Sequence, residues 1–83
     1  MFDFRLKVFY TVARRLNFTK AAEELLISQP AVTKHIKELE SQFNLALFDR
    51  RGNRVVLSPA GEVLLKHTEN IQEIYRQIEF DLN

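Results

Sequence analysis

The sequence predicts a small, mainly α-helical fold with three helices, a short β-hairpin and a long fourth helix. Apolar residues recur at helical spacing in four segments, each preceded by a capping residue. A Gly-Asn turn at residues 52–53 lies between two short apolar runs, a pattern typical of a hairpin. No Gly or Pro interrupts the last segment from Glu62 to Asn83. The length of 83 residues allows one domain, or one domain with an appendage.

Composition limits the functions open to the chain. With 46% apolar and 28% charged residues, it is neither disordered by composition nor a membrane protein. The absence of Cys excludes disulfides, thiolate zinc sites and a Cys nucleophile. Two Gly are too few for a glycine-rich phosphate loop. We therefore expect a soluble, cytoplasmic protein that needs no cofactor.

Charge divides the chain into a basic body and an acidic tail. Residues 1–57, the body, carry ten Lys or Arg against six Asp or Glu, whereas residues 58–83 carry two against five. A basic excess on a small body is compatible with a polyanionic partner but does not by itself establish one.

Caps and apolar spacing place the first two helices. Asp3 is expected to cap a helix that runs to about Leu16. Thr19 is expected to cap a second helix from Lys20 to Leu26. The second helix is expected to bury Ala22, Leu25 and Leu26.

A serine followed within two residues by a proline marks the start of each of the last two helices. Ser28 is expected to cap the third helix with Pro30 in its first turn, and Ser58-Pro59 begins the fourth. About three residues separate the second and third helices, too few for antiparallel packing, so the third helix turns sharply away. Its core-facing stripe is Val32, Ile36, Leu39 and Phe43.

This order of elements is that of a winged helix-turn-helix, and one face of the third helix indicates its function. That face carries amide, hydroxyl and cationic groups suited to base edges and phosphates. The residues predicted to contact bases are Ser28, Gln29, Pro30, Ala31, Thr33 and Lys34. Lys37 shares this face and is predicted to contact the DNA backbone, whereas Glu38 and Glu40 are expected to point elsewhere.

The hairpin is predicted to be a basic wing that meets the DNA backbone or minor groove. Arg50, Arg51 and Arg54 surround its turn, and arginine suits a narrow, electronegative minor groove. Arg50 is favoured less than the other two because it belongs to the strand. The alternative is a surface turn whose arginines pair with Asp49. Thr19, at a helix start, is predicted to be a further backbone contact.

Several segments closely match the signature of LysR-type transcriptional regulators. The matching stretches are FTKAAEEL at 18–25, ISQPAVT at 27–33, IKELE at 36–40, LFDR at 47–50 and LSPAGE at 57–62. Thr33-Lys34 stands where Ser-Arg is frequent in the family. Lysine lacks the bidentate fork of arginine, which alters the expected base preference at that position.

The resemblance implies a bacterial regulator that binds an interrupted palindromic operator in double-stranded DNA at the nucleoid. Residues 1–58 would be the DNA-binding domain, and 59–83 the linker helix through which two copies dimerise. Family members carry a separate C-terminal domain that binds a small-molecule effector, and a full-length protein could form tetramers. That domain is not among these 83 residues, so we expect an excised fragment.

The tail helix separately predicts a homodimer. Leu64, Ile71 and Ile78 recur every seven residues, and the body shows no second apolar surface in its sequence. The alternative is a tail folded over the first helix, which is expected to take Val63 and Leu64. The residues predicted at the dimer interface are Ile71, Ile74, Tyr75, Ile78 and Leu82.

Other functions find little support in the residues. His35 and His67 lack metal-ligand spacing, so no metal site is expected, and His35 is at most a peripheral DNA contact. Ser28 has no evident base partner, and no other constellation predicts an enzyme. A protein-interaction module would need large apolar residues at positions 30, 33, 34 and 37, where only Pro30 is apolar.

Overall fold

A computed structural model describes residues 3–83; Met1 and Phe2, the first two residues of the predicted DNA-binding domain, lie outside it. The elements in chain order are α1 (Phe4–Arg15), α2 (Phe18–Leu25), α3 (Gln29–Phe43), β1 (Phe48–Arg51), β2 (Arg54–Leu57) and α4 (Pro59–Leu82). The predicted fold class is confirmed. Within residues 3–83, no helix has the length and apolar content needed to cross a lipid bilayer.

Side-chain caps begin all four helices, and one of them differs from the prediction. Asp3 accepts the Arg5 N–H at 2.8 Å, as expected, and Ser28 and Ser58 cap α3 and α4. The second cap is Asn17, whose Oδ1 accepts the Lys20 N–H at 2.7 Å. The prediction of Thr19 was wrong because Asn17, in an extended conformation, starts the helix two residues earlier.

The core lies where α1, α2 and α3 meet beneath the hairpin. Its buried apolar side chains are Val8, Phe9, Val12, Ala13, Ala21, Ala22, Val32, Ile36, Leu39 and Leu47. Phe48 of β1 packs against this core, with its ring centroid 5.4 Å from that of Phe9 and 5.8 Å from that of Phe18. The hairpin is therefore fixed to the helices through its first residue.

Two large apolar residues that were predicted to be buried are exposed. Leu26 is 90% exposed because it follows α2 with a left-handed backbone, φ 58°, and the next residue, Ile27, packs against the core instead. Phe43 is 44% exposed because it is the last residue of α3, where the chain turns at Asn44. Both errors arise at helix ends, where regular spacing stops.

The first half of α4 packs against the body. Leu64 and Leu65 contact the core, and Thr68 is fully buried with its hydroxyl donating to the Leu64 carbonyl at 2.7 Å. The prediction of Leu64 as a contact was correct. Val63 is 60% exposed, so its assignment to the same contact was wrong: it lies about 100° around the helix from Leu64, away from Leu65 and Thr68.

The start of α4 is joined closely to the segment that leads into β1. The Ser58 N–H donates to the Leu47 carbonyl at 3.0 Å, and the Ser58 hydroxyl donates to the Ala46 carbonyl at 2.6 Å. One turn later, Gly61 is buried against the same Leu47 carbonyl, and a Cβ there would collide with that oxygen. Only glycine allows the helix to approach this closely.

Replacing Gly61 by alanine is expected to lower the free energy of unfolding by about 1–3 kcal/mol, because the added methyl forces the backbones apart. Stability should fall even though alanine has a higher helix propensity than glycine. Urea denaturation measures the effect. Gly52→Asn is the matched control: Gly52 has φ 63° and open space around it, and asparagine tolerates that conformation. An unchanged stability in Gly61→Ala would contradict the steric account.

Candidate nucleic-acid interface

The N-terminal half of α3 presents a mixed polar surface. Ser28, Pro30, Lys34 and Lys37 are exposed, whereas Gln29, Ala31 and Thr33 are half-buried. Ser28 Oγ accepts the Ala31 N–H at 3.2 Å and satisfies one of the helix's N-terminal donors. The residues predicted to contact bases thus lie together at one end of a single helix.

A side-chain hydrogen bond orders the centre of this surface. Gln29 Nε2 donates to Thr33 Oγ1 at 2.9 Å, one helical turn away. A carboxamide has two N–H donors and an acceptor oxygen, so this bond orients the group without using up its capacity. The sequence predicts both residues as base contacts but does not reveal that they touch.

Two adjoining depressions separate α3 from the hairpin. Thr33, Lys37 and Arg50 line the first, while Thr19, Gln29 and Arg50 line the second. Arg50 is common to both, and its guanidinium carbon lies 5.9 Å from the centroid of the Phe18 ring. A cation over an aromatic face is attracted to it, which favours this position for Arg50. Residues from α2, α3 and β1 are therefore brought into one concave surface.

The wing arginines lie at the end of the hairpin. Arg51 and Arg54 are paired in the last register position before the turn, and both are exposed. Among residues 3–83, none of the ion pairs involves Asp49, Arg50, Arg51 or Arg54. The alternative in which Asp49 neutralises the wing is therefore not what the structure adopts.

Glu40 corrects the prediction that both glutamates of α3 point elsewhere. It lines the same depression as Lys37, and its Oε2 accepts the Leu47 N–H at 2.8 Å. Its spacing of three residues from Lys37 is the signal that places the two on one face. The carboxylate connects α3 to the segment before β1. Sequence reasoning also missed Asn53, which lies in the turn and lines the depression beside Gln29.

His35 packs between helices rather than on the polar surface of α3. Its ring meets that of Phe4 edge-on, with 5.3 Å between the centroids. Its Nδ1 lies 3.5 Å from the Glu38 carboxylate. These contacts turn the imidazole toward α1.

The predicted interface residues of α4 divide into two groups. Ile74, Ile78 and Leu82 are exposed, whereas Ile71 and Tyr75 are half-buried. The body also carries an exposed apolar surface, contrary to the sequence-based expectation. It is a groove beside α4 to which both Phe43 and Leu45 contribute, and it was missed because its sides come from distant parts of the chain.

Residues 4–62, from the start of α1 into α4, match the sequence model of the protein family described as "Bacterial regulatory helix-turn-helix protein, lysR family". The chain belongs to the LysR family. The resemblance predicted from the helix-turn-helix and wing motifs is confirmed.

Two curated relatives of this LysR-family chain are transcriptional regulators. It is 43% identical over 75 residues to the RuBisCO operon transcriptional regulator of Allochromatium vinosum. It is 40% identical over 77 residues to the HTH-type transcriptional regulator CysL of Bacillus subtilis (strain 168). The alignments cover 90% and 93% of the chain but 25% and 26% of the relatives. The chain thus spans about a quarter of the length of these relatives.

Solved structures agree with the family assignment. A LysR-family regulator from Eggerthella lenta DSM 2243 superposes with a TM-score of 0.79 at 45% identity, covering 83% of this chain and 99% of that one. The CbnR_DBD–DNA complex superposes with a TM-score of 0.82 at 30% identity, covering 93% of this chain and 88% of that one. The BenM_DBD/catB site 1 DNA complex superposes with a TM-score of 0.87 at 27% identity, covering 94% of this chain and 87% of that one. The chain is a LysR-type helix-turn-helix DNA-binding domain.

The Glu40 hydrogen bond makes a prediction about local order. Glu40→Ala should raise the amide-exchange rate of Leu47 by a factor of about 10 to 150, since a net hydrogen bond to a charged acceptor contributes about 1.5–3 kcal/mol. Glu40→Gln retains an acceptor oxygen and should have a smaller effect. Glu38→Ala, two residues away on the same helix, is the control. Unchanged Leu47 exchange in Glu40→Ala would remove Glu40 from this role.

Proposed function

We propose that this LysR-type domain reads a specific duplex by placing the N-terminal half of α3 in the major groove. The observation that carries the proposal is the single concave surface in which Gln29, Thr33 and Lys37 lie beside wing residue Arg50. The major groove is about 12 Å wide and admits an α-helix. The similarity to DNA complexes of other LysR-type domains supports the same arrangement.

The base-reading roles follow from the chemistry of each side chain. Gln29, oriented by Thr33, is suited to the donor and acceptor of an adenine edge. Lys34 is exposed and suited to guanine, while Pro30 and Ala31 offer apolar contact to a thymine methyl. Ser28, at the helix start, and the hydroxyl of Thr33 complete the proposed set of base contacts.

The backbone contacts surround this reading surface. Lys37 lies one turn beyond Thr33 on α3, and Thr19 lies in the first turn of α2. The wing contributes the three arginines, of which Arg51 and Arg54 are nearest the turn. We propose that these groups bind phosphate, and that a wing arginine enters the minor groove, where the narrow shape concentrates negative potential.

We propose further that residues 1–58 form the reading domain and residues 59–83 a linker helix joining two copies. An interrupted palindrome needs two reading heads held about 34–36 Å apart, or a multiple of this spacing. The exposed isoleucines of α4, and the half-buried Ile71 and Tyr75 beside them, support a homodimer through this helix. The whole protein would act in the cytoplasm at the nucleoid. There a C-terminal domain would bind a small-molecule effector, and tetramers would be the larger assembly.

Gln29→Ala is expected to lose about 1–3 kcal/mol of binding free energy and to relax preference at one base pair. The measurement is binding to every single-base variant of an operator selected from a random duplex pool. Thr33→Val should relax the same position more weakly, because it frees the Gln29 amide without deleting it, and it should also relax the base pair that the Thr33 hydroxyl itself contacts. Gln77→Ala, on exposed α4, serves as the control. If Gln29→Ala keeps both affinity and preference, Gln29 does not read a base.

The wing arginines are expected to act mainly through phosphate. Arg51→Ala and Arg54→Ala should each flatten the slope of log K against log salt by about 0.9, since each phosphate contact releases counterions. Base preference should stay unchanged unless the arginine lies in the minor groove. Arg76→Ala, which removes a cation of α4 3.1 Å from Glu73, should not change the slope. Slopes equal to wild type in both wing variants would place the wing away from DNA.

A further inference from the structure

The two faces of the hairpin carry different arginines. Alternate residues of a strand point to opposite faces, so Phe48 and Arg50 of β1 share one face and Arg51 lies on the other. Phe48 packs against the core, which makes its face the inner face of the hairpin. Arg54, directly opposite Arg51 in the register, shares the outer face. Of the three wing arginines, Arg50 alone therefore projects toward the helices.

The ring of Phe18, the first residue of α2, lies against Arg50. This half-buried ring has its centroid 5.9 Å from the Arg50 guanidinium carbon and 5.8 Å from the centroid of the Phe48 ring. Phe18 and Arg50 both line each of the two depressions between α3 and the hairpin. Phe48, packed on the core, thus fixes the ring of Phe18, and that ring supports a cation at the boundary of the depressions.

The Phe18 ring is the contact that holds the Arg50 guanidinium. Among residues 3–83, no ion pair and no side-chain hydrogen bond involves Arg50. Within the same described residues, neither Arg51 nor Arg54 lies over an aromatic ring. The inner arginine of the wing is therefore held in a way that the two outer arginines are not.

Holding Arg50 in advance lowers the free-energy cost of binding DNA. A free arginine side chain has several rotatable bonds, and it loses their freedom when its guanidinium is fixed on a ligand. Contact with a ring orders part of the side chain before the ligand arrives. The ring meets the flat face of the guanidinium, whereas the five N–H donors lie in its plane. The group can therefore donate to phosphate oxygens while it rests on the ring.

We propose that Phe18 is a positioning residue for DNA binding, whose ring holds the Arg50 guanidinium where the DNA backbone meets the inner face of the wing. The inference rests on the proposed backbone contact of Arg50 and adds the residue that prepares it. Because Phe18 acts through Arg50, its contribution to affinity vanishes when the guanidinium is absent. Its contribution is independent of Arg51, which lies on the outer face.

Fluorinated phenylalanines at position 18 test this contact while largely preserving the shape of the ring. Fluorine withdraws electron density from the ring face and so weakens its attraction for a cation. Mono-, di- and trifluorinated phenylalanine, incorporated at this position alone, should weaken binding to the selected operator stepwise, by about two- to five-fold in total. The same series at Phe80, which is exposed on α4, is the matched control and should leave affinity unchanged. Equal affinity across the series at position 18 would overturn the positioning role.

A double-variant cycle separates this role from the contact that Arg50 itself makes. Arg50→Ala should weaken operator binding about tenfold or more, as the loss of a charged hydrogen bond does. Phe18→Leu should weaken binding about two- to five-fold in the wild-type chain and in Arg51→Ala, but not in Arg50→Ala. Phe18→Tyr, which retains an aromatic face, should bind as the wild type does.

The outcomes of the cycle distinguish the inference from the proposed function. If Phe18→Leu causes the same loss in Arg50→Ala as in the wild type, Phe18 acts by another route and the inference is wrong, while the backbone contact of Arg50 stands. If Arg50→Ala alone binds as tightly as the wild type, the backbone contact is itself wrong, and the inference is overturned with it.

Discussion

Leu47 connects α3, the hairpin and α4 to one another. Its N–H is held by the Glu40 carboxylate of α3, and its carbonyl accepts the N–H of Ser58, which caps α4. Its side chain is 2% exposed within the core. Because Gly61 also rests against that carbonyl, the relative positions of the third helix, the wing and the last helix are fixed around a single residue.

This arrangement explains how so small a hairpin can hold charged groups in place. Each strand has four residues, and a two-stranded hairpin of that size is marginally stable on its own in water. Here the hairpin begins at Phe48, which packs on Phe9 and Phe18, and ends at Leu57, which contacts the core. The arginines therefore project from a backbone stabilised by apolar contacts rather than by pairing among charges.

The sequence predicts well what is determined by neighbours in the chain. The serine-proline starts of α3 and α4, the buried stripe through Leu39 and the hairpin turn depend on local chemistry, and the structure contains all of them. Predictions failed where helices end, as at Leu26 and Phe43, because spacing rules assume that the helix continues. The role of Glu40 and the apolar groove could not be predicted, since both join residues brought together only by folding.

The close contact between Gly61 and Leu47 forms a joint at the start of α4, so a small change of angle there becomes a large displacement at the far end of the helix. The helix has 24 residues, about 36 Å in length, and only its first half is packed against the body. A tilt of about 10° at Ser58 would move the far end by about 6 Å, nearly two base-pair steps along a duplex. In the proposed dimer, the stiffness of this one joint would therefore set how much variation in half-site spacing the protein tolerates. A looser joint would accept many spacings, whereas a glycine packed against a carbonyl would accept few.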